Sequence, residues 1–198
     1  MNLSIFASLC YLLWLLPWNG APAQSLKYDI YVGKKVMGTL EAHCSEKQDK
    51  TRFYKLETHI KWPLLHISSL IQANYDAKGM STASVKQWLN KSLRESAVVE
   101  KGGQGYRIEF PMKDEQRNFA GHINYSVSCL YHHEPVHQQN VFSERFGEYC
   151  ILKRLGEGRY ELTMPDGISA RYTYEKGVCV QMETRQMGRD IIMKKVSK

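Results

Sequence analysis

Apolar residues recur at every second position over most of this chain, a pattern typical of strands with one buried face. In the clearest case, residues 54–62, Tyr, Leu, Thr, Ile and Trp alternate with Lys, Glu, His and Lys. Comparable runs predict further strands, which cover residues 26–32, 36–44, 66–75, 80–89, 93–100, 106–110, 160–164, 168–174, 178–182 and 190–196.

Short turns rich in Gly, Asn, Asp and Lys separate these runs, including Gly33-Lys34-Lys35, Asn90-Lys91 and Pro165-Asp166-Gly167. Strands joined by such turns, without alternating helices, form antiparallel sheets that curl or close to protect their edges. We therefore expect a mainly β fold. Its curved antiparallel sheet of about ten strands would form an open or half-closed barrel.

One segment departs from the two-residue period. Ile123, Val127 and Leu130 recur at helical spacing, and Pro135 follows where a helix would end. This spacing predicts one short amphipathic helix near residues 124–133, packed on the concave face of the sheet.

The N-terminal 23 residues carry no charged side chain and hold an apolar run from Leu9 to Trp18. The run is too short to span a bilayer and is typical of a secretory signal peptide, with Ala21 and Ala23 at the positions that signal peptidase reads. We expect cleavage after Ala23, an exported (periplasmic or secreted) protein, and a single β-rich domain over residues 24–198. The alternative is an uncleaved anchor, because the segment lacks the usual basic residue.

The chain has 27 basic and 20 acidic residues, a net charge of +7. Such an excess favours anionic partners, and in an exported protein these are envelope components such as phospholipid headgroups, acidic glycans or acidic proteins rather than nucleic acid. The alternative is a mildly basic soluble surface with no electrostatic role. No arginine-rich block or nucleic-acid module is present in the sequence.

Four cysteines follow the predicted cleavage site: Cys44, Cys129, Cys150 and Cys179. Their spacing matches no zinc or redox motif, so they are interpreted as structural disulfides in one of three connectivities or as buried thiols.

The sequence offers one weak candidate for metal binding, the cluster His132, His133, Glu134 and His137. Imidazole and carboxylate are good zinc and copper ligands, but Pro135 prevents the continuous helix that would align the side chains. No residue is assigned a catalytic role, because Ser143 lacks the glycines of a nucleophile elbow. No cofactor is expected.

Three stretches carry a family resemblance: Tyr28–Gly33 with Gly38, Ile123–Tyr131 with Glu134-Pro135 and residues 141–148, and Tyr172–Gly177. They resemble a domain family of unknown function found in secreted bacterial proteins. More distantly, the layout is similar to the open-barrel fold of the periplasmic lipoprotein carriers. The resemblance implies a fold and an export route but no activity, and His132 and His133 are not part of the family pattern.

Two classes of function follow. The first is non-catalytic binding of a lipid or other apolar ligand on the concave face, unless the same side chains fill the barrel as a core. The side chains expected to line that face are Leu56, Ile60, Trp62, Val127 and Leu130. The alternative is a metal-dependent or simple hydrolytic enzyme centred on the histidine cluster.

Overall fold

The computed structural model describes residues 23–186 and 188–197, so the predicted signal peptide lies outside the described residues except for Ala23. Within them, all strands belong to one antiparallel sheet. The fourteen strands are β1 (Gln24–Val32), β2 (Lys35–Glu46), β3 (Arg52–Trp62), β4 (Leu65–Asp76), β5 (Gly79–Leu89), β6 (Ser92–Gly102), β7 (Gly105–Phe110), β8 (Glu115–Ala120), β9 (Asn140–Ser143), β10 (Glu148–Gly156), β11 (Arg159–Thr163), β12 (Ser169–Glu175), β13 (Val178–Gln186) and β14 (Arg189–Lys195).

The sheet is built from two meanders. Strands β1 to β8 pair consecutively, as do β9 to β14, and the pairing of β1 with β14 joins the two sets. The spatial order runs from β8 at one edge to β9 at the other, so the curved sheet is not closed into a barrel.

The expectation of about ten strands was too low. The missed strands are β8, β9 and β10, and the sequence of none of them alternates apolar and polar residues. β8 is mostly exposed, β9 has only four residues, and β10 carries the adjacent apolar residues Cys150, Ile151 and Leu152.

Side chains connect the two edges of the sheet along a line that we call the seam. Arg117 of β8 forms an ion pair with Glu148 of β10, with 2.7 Å between Nη1 and Oε1. Next to it, the ring of Phe119 lies 5.3 Å from that of Phe142 and 5.4 Å from that of Tyr149. The seam is therefore held by side-chain contacts and not by a backbone ladder between β8 and β9.

The predicted helix at 124–133 is wrong: the segment contains a single 3₁₀ turn at Val127–Cys129. Apart from the bonds within and just after this turn, the carbonyls of the segment bond to the sheet. The carbonyl of Ile123 accepts from Met80 N–H at the start of β5, and that of Tyr125 accepts from Phe142 N–H of β9. The carbonyl of Tyr131 accepts from Cys179 N–H of β13. These long-range bonds replace the i to i+4 ladder that a helix requires.

The connection between β8 and β9, residues 121–139, includes this turn; it runs along the concave face and covers one end of it. Its buried residues belong to two core clusters, which include the fully buried tyrosines Tyr28, Tyr54, Tyr75, Tyr160 and Tyr172. The hydroxyl of Tyr28 donates to the Cys179 carbonyl and that of Tyr174 to the Leu130 carbonyl, both at 2.8 Å, which satisfies these buried polar groups.

No helix in the described residues is long and apolar enough to cross a membrane.

Candidate functional site

The two ends of the concave face differ in how well they are covered. At the end crossed by the segment 121–139, the inward side chains of β3 and β4 (Tyr54, Ala73 and Tyr75) are completely buried. Towards the other ends of the same strands, Ile60 and Ile67 are only half-buried. We call these the closed end and the open end.

Several half-buried apolar side chains lie on the concave face at the open end. Residues paired directly across antiparallel strands share one face of the sheet, and the register pairs Ile60 with Ile67 and Trp62 with Leu65. The open-end apolar group consists of Ile60, Trp62, Leu65, Ile67, Leu89 and Ile191.

On β3 to β6 a row of polar side chains lies between this group and the buried residues of the same strands, whereas Ile60 and Ile191 also pack against the larger core cluster. The row follows the register from Thr58 through Ser69 and Gln87 to Glu95, one residue pair deeper than Ile60. The Glu95 carboxylate accepts from Arg145 Nε at 2.8 Å, and its side chain is 20% exposed. Glu95 is the only charged residue in the row, and Arg145 balances its charge. The apolar group beyond the row is two residue pairs deep along the strands.

At the outer edge of the open end, which we call the rim, Arg189 of β14 contacts Trp62 of β3. The Arg189 guanidinium lies 5.1 Å from the ring centroid of Trp62. In sheet order β1 and β2 separate the strands carrying these residues, so the contact spans the concave side of the curve. Arg189 is exposed and Trp62 is half-buried, which leaves the guanidinium accessible to solvent.

The five side chains predicted to line a ligand fall into a buried group and a half-buried group in the structure. Leu56 and Leu130, with exposures of 3% and 0%, are part of the larger core cluster. Ile60 and Val127 are half-buried and pack against that cluster, and Trp62 lies at the rim. The predicted concave face therefore contains both filled core and partly open surface.

The histidine cluster is not assembled into one site. His132 is buried, and its Nδ1 lies 3.1 Å from Gln24 Oε1, whereas His133 and His137 are exposed. The Glu134 carboxylate accepts from the Tyr160 hydroxyl at 2.8 Å. Across residues 23–186 and 188–197, no group of three His, Cys, Asp or Glu side chains is placed to hold a metal ion. Burial lowers the pKa of His132 to about 4, with a smaller effect of His133, so its imidazole is neutral at pH 7.

A hydrogen-bonded chain lies in the core behind the polar row. The Tyr75 hydroxyl donates to Ser126 Oγ, which donates to Glu144 Oε1, both at 2.6 Å. The Ser128 N–H also donates to Oε1, at 3.1 Å, while Oε2 is buried without a partner. Burial raises the pKa of Glu144 despite these donors. Because Glu144 is 1% exposed, this network is closed to solvent and has a structural role.

The four described cysteines are unpaired thiols. Cys129, Cys150 and Cys179 are buried, and burial raises the pKa of Cys150 and of Cys179 to about 12. Such thiols are weak nucleophiles and poor metal ligands. Of the two interpretations made from their spacing, buried thiols describe this structure.

Sequence reasoning missed most of the open end. Leu65, Ile67 and Leu89 were placed in or beside predicted strands, but alternation alone does not tell an open face from a filled one. Arg145, Arg189 and Glu95 had no signal in the sequence, because their contacts join distant strands.

The fold resembles a solved structure, the beta-barrel-like protein of domain of unknown function DUF1849 from Brucella abortus. The TM-score is 0.54 at 11% sequence identity, and the match covers 89% of this chain and 96% of that one. No curated protein matches this chain in sequence. A family model, the domain of unknown function DUF6134, matches residues 28–196. Since the match extends over nearly all of the sheet, the chain belongs to the DUF6134 family.

Proposed function

We propose that this protein is an exported, non-catalytic envelope protein that binds the acyl chain of an amphiphile at the open end of its concave face. The observation that carries the proposal is the open-end apolar group, which presents half-buried Ile, Leu and Trp side chains on a concave surface. Concave apolar surfaces with few polar groups are typical of small-molecule sites.

The polar row limits the kind of ligand. An acyl chain reaching past Ile60 would cover Thr58 and Ser69 without offering them hydrogen bonds, which is unfavourable. The apolar part of the ligand therefore has about 7 Å of depth along the strand, the two residue rows between Trp62 and Ile60, and a longer chain has to lie across the strands.

The rim supplies a partner for an anionic headgroup. Arg189 is exposed beside Trp62, so a carboxylate or phosphate could pair with its guanidinium while the chain contacts the apolar group. Both parts of an anionic amphiphile thus have a matching surface.

Export is supported by the sequence that precedes the sheet. The apolar run ends in Ala21 and Ala23, and β1 begins at Gln24, the residue predicted to follow the cleavage site. N-terminal sequencing of the protein from its cell envelope should give Gln24 first. An intact Met1 on membrane-bound protein would contradict export in soluble form.

Binding is tested by tryptophan emission. Residues 24–198 contain two tryptophans, Trp62 and Trp88, so Trp88→Phe leaves Trp62 as the reporter. Titration of the cleaved chain with decanoate should change Trp62 emission saturably. Ile60→Gln should weaken binding about tenfold, because it replaces apolar contact surface by an amide.

Leu70→Gln is the matched control. Leu70 pairs with Glu57 and Lys86, and thus lies on the convex face of the same strands. It should bind decanoate like the unsubstituted reporter protein. A flat titration of folded protein, or equal effects of the two substitutions, would contradict ligand binding at the open end.

A further inference from the structure

The turn between β3 and β4 displays an apolar side chain in an unfavourable backbone conformation. Leu64 is 97% exposed, whereas the next most exposed large apolar side chain among the described residues, Ile151, reaches 67%. Its φ is +67°, in the left-handed region where Gly or Asn is ordinarily found. Both the left-handed backbone conformation and the exposure of the leucine side chain to water are unfavourable for the free energy of folding.

The turn is held in place by its neighbour. Asn90, in the β5–β6 turn, donates from Nδ2 to the Leu64 carbonyl at 3.3 Å and accepts at Oδ1 from His66 N–H at 2.8 Å. Asn90 N–H also donates to the His66 carbonyl, at 2.8 Å. These bonds tie Leu64 and the start of β4 to the β5–β6 turn.

Three further apolar or aromatic side chains flank Leu64 at the same end of the sheet. Trp62 and Leu65 form the residue pair that closes the turn, and Val36, at the start of the neighbouring β2, is 51% exposed. Tryptophan is favoured at the boundary between lipid and water, where its ring is apolar and its N–H stays hydrated.

The three turns nearest this apolar tip carry only positive charges, and the start of β14, beside the β1–β2 turn, carries both Arg189 and Asp190. The β1–β2, β3–β4 and β5–β6 turns, with the residues beside them, contribute Lys34, Lys35, Lys61, Lys91 and Arg94 and no carboxylate between residues 33–36, 61–66 or 89–94. All five are exposed. In the described part of the chain none of them forms an ion pair.

We propose that this rim docks on an anionic lipid bilayer, with Leu64 inserted among the acyl chains and the surrounding lysines on the headgroups. We call the surface formed by Leu64, Lys34, Lys35, Lys61 and Lys91 the docking rim. An apolar residue ringed by unpaired cations matches a surface that is negative outside and apolar beneath. The ligand site proposed above opens at the same end, but docking does not depend on it.

Vesicle flotation tests the proposal, with residues 24–198 and vesicles of phosphatidylcholine alone or with 30% phosphatidylglycerol. The protein should float with the anionic vesicles and remain in solution with the neutral ones. Leu64→Asn should bind at least tenfold more weakly, because it removes the inserted side chain. This variant also suits the left-handed backbone, so it should fold at least as well as the natural chain.

Two further variants separate the contributions. Lys34→Gln with Lys91→Gln should weaken binding about fivefold for each charge removed. Ile151→Thr, on the exposed face of β10, removes a comparably exposed apolar residue elsewhere and should bind like the natural chain.

Unchanged flotation of Leu64→Asn, or an equal loss in Ile151→Thr, would overturn the proposal. So would equal binding to neutral vesicles or the absence of any binding. Decanoate titration of Leu64→Asn distinguishes the two proposals: intact ligand binding with lost flotation supports docking as a separate function of the rim.

Discussion

Arg189 and Trp62 lie on strands that are not neighbours, yet the guanidinium sits 5.1 Å from the centre of the indole ring. The contact joins the start of β14 to the end of β3 across the concave face. It shows that the sheet is curved strongly enough at this end for inward side chains of separated strands to meet.

This pair should be measurable as a coupling. Arg189→Ala, Trp62→Leu and the double substitution form a cycle, and the coupling free energy at this exposed site should be about 0.5–1 kcal/mol. Urea unfolding of the four proteins measures it. Additive effects would mean that the two side chains do not interact in solution.

His132 should make the fold sensitive to mild acid. The folded-state pKa is about 4, below the ordinary value of 6.5, because the imidazole is buried. Between these pH values the unfolded chain binds a proton that the folded chain does not. The free energy of unfolding should therefore fall by up to about 3 kcal/mol as pH drops from 6.5 to 4.

Urea unfolding at several pH values, beside titration of the ring by NMR, tests this expectation. His132→Asn keeps a donor towards Gln24 and should lose this part of the pH dependence. The exposed His137 provides the control, since His137→Asn should leave the dependence unchanged. A His132 that titrates near 6.5 in the folded protein would refute the argument.

Glu144 should act in the opposite direction. Its pKa is raised by burial, so the folded state holds its proton to higher pH than the unfolded state does. This contribution to stability is complete below the unfolded-state pKa and is lost as pH rises through the folded-state pKa.

Substitutions of Glu144 separate the charge from the hydrogen bonds. Glu144→Gln cannot ionise but keeps an acceptor for Ser126 and Ser128, so it should match the natural chain at pH 4 and exceed its stability at pH 8. Glu144→Ala leaves both donors unpaired and should cost about 2–4 kcal/mol at either pH. Lower stability of Glu144→Gln at pH 8 would show that the carboxylate is ionised in the fold.

Gly38 is required by close packing of the backbone. A Cβ there would lie 2.1 Å from the carbonyl oxygen of His59 and 2.8 Å from Cα of Ile60, in the adjacent strand. Gly38→Ala should therefore cost about 2–3 kcal/mol by overpacking. Gly102→Ala, where no atom lies within 4 Å, is the control and should unfold at the same urea concentration as the natural chain.

The long strands could be predicted because each has one face in the core and one in water. In β3, the buried Tyr54 and Leu56 alternate with partly exposed neighbours, and the sequence shows the same period. The register follows from the two-residue turns, as in the pairing of Trp62 with Leu65.

The segment 121–139 could not be predicted in the same way. Its spacing favours a helix locally, but the bonds that hold its carbonyls come from Met80, Phe142 and Cys179, far along the chain. The same applies to the site. Leu64 is an ordinary residue in the sequence, and only its φ and its exposure single it out.

The seam distinguishes this sheet from a closed barrel, because no main-chain hydrogen bonds of a β-ladder among the described strands cross it. In a closed barrel, strand number and stagger fix the radius, and widening it breaks main-chain hydrogen bonds. Here no β-ladder crosses the seam, and the two edges are tied by the ion pair of Arg117 with Glu148, by the edge-to-face contacts of Phe119, and by the segment 121–139, which bonds to β5 and β9. The curvature of the sheet, and with it the width of the concave face, thus depends on these contacts and not on a closed set of β-ladders.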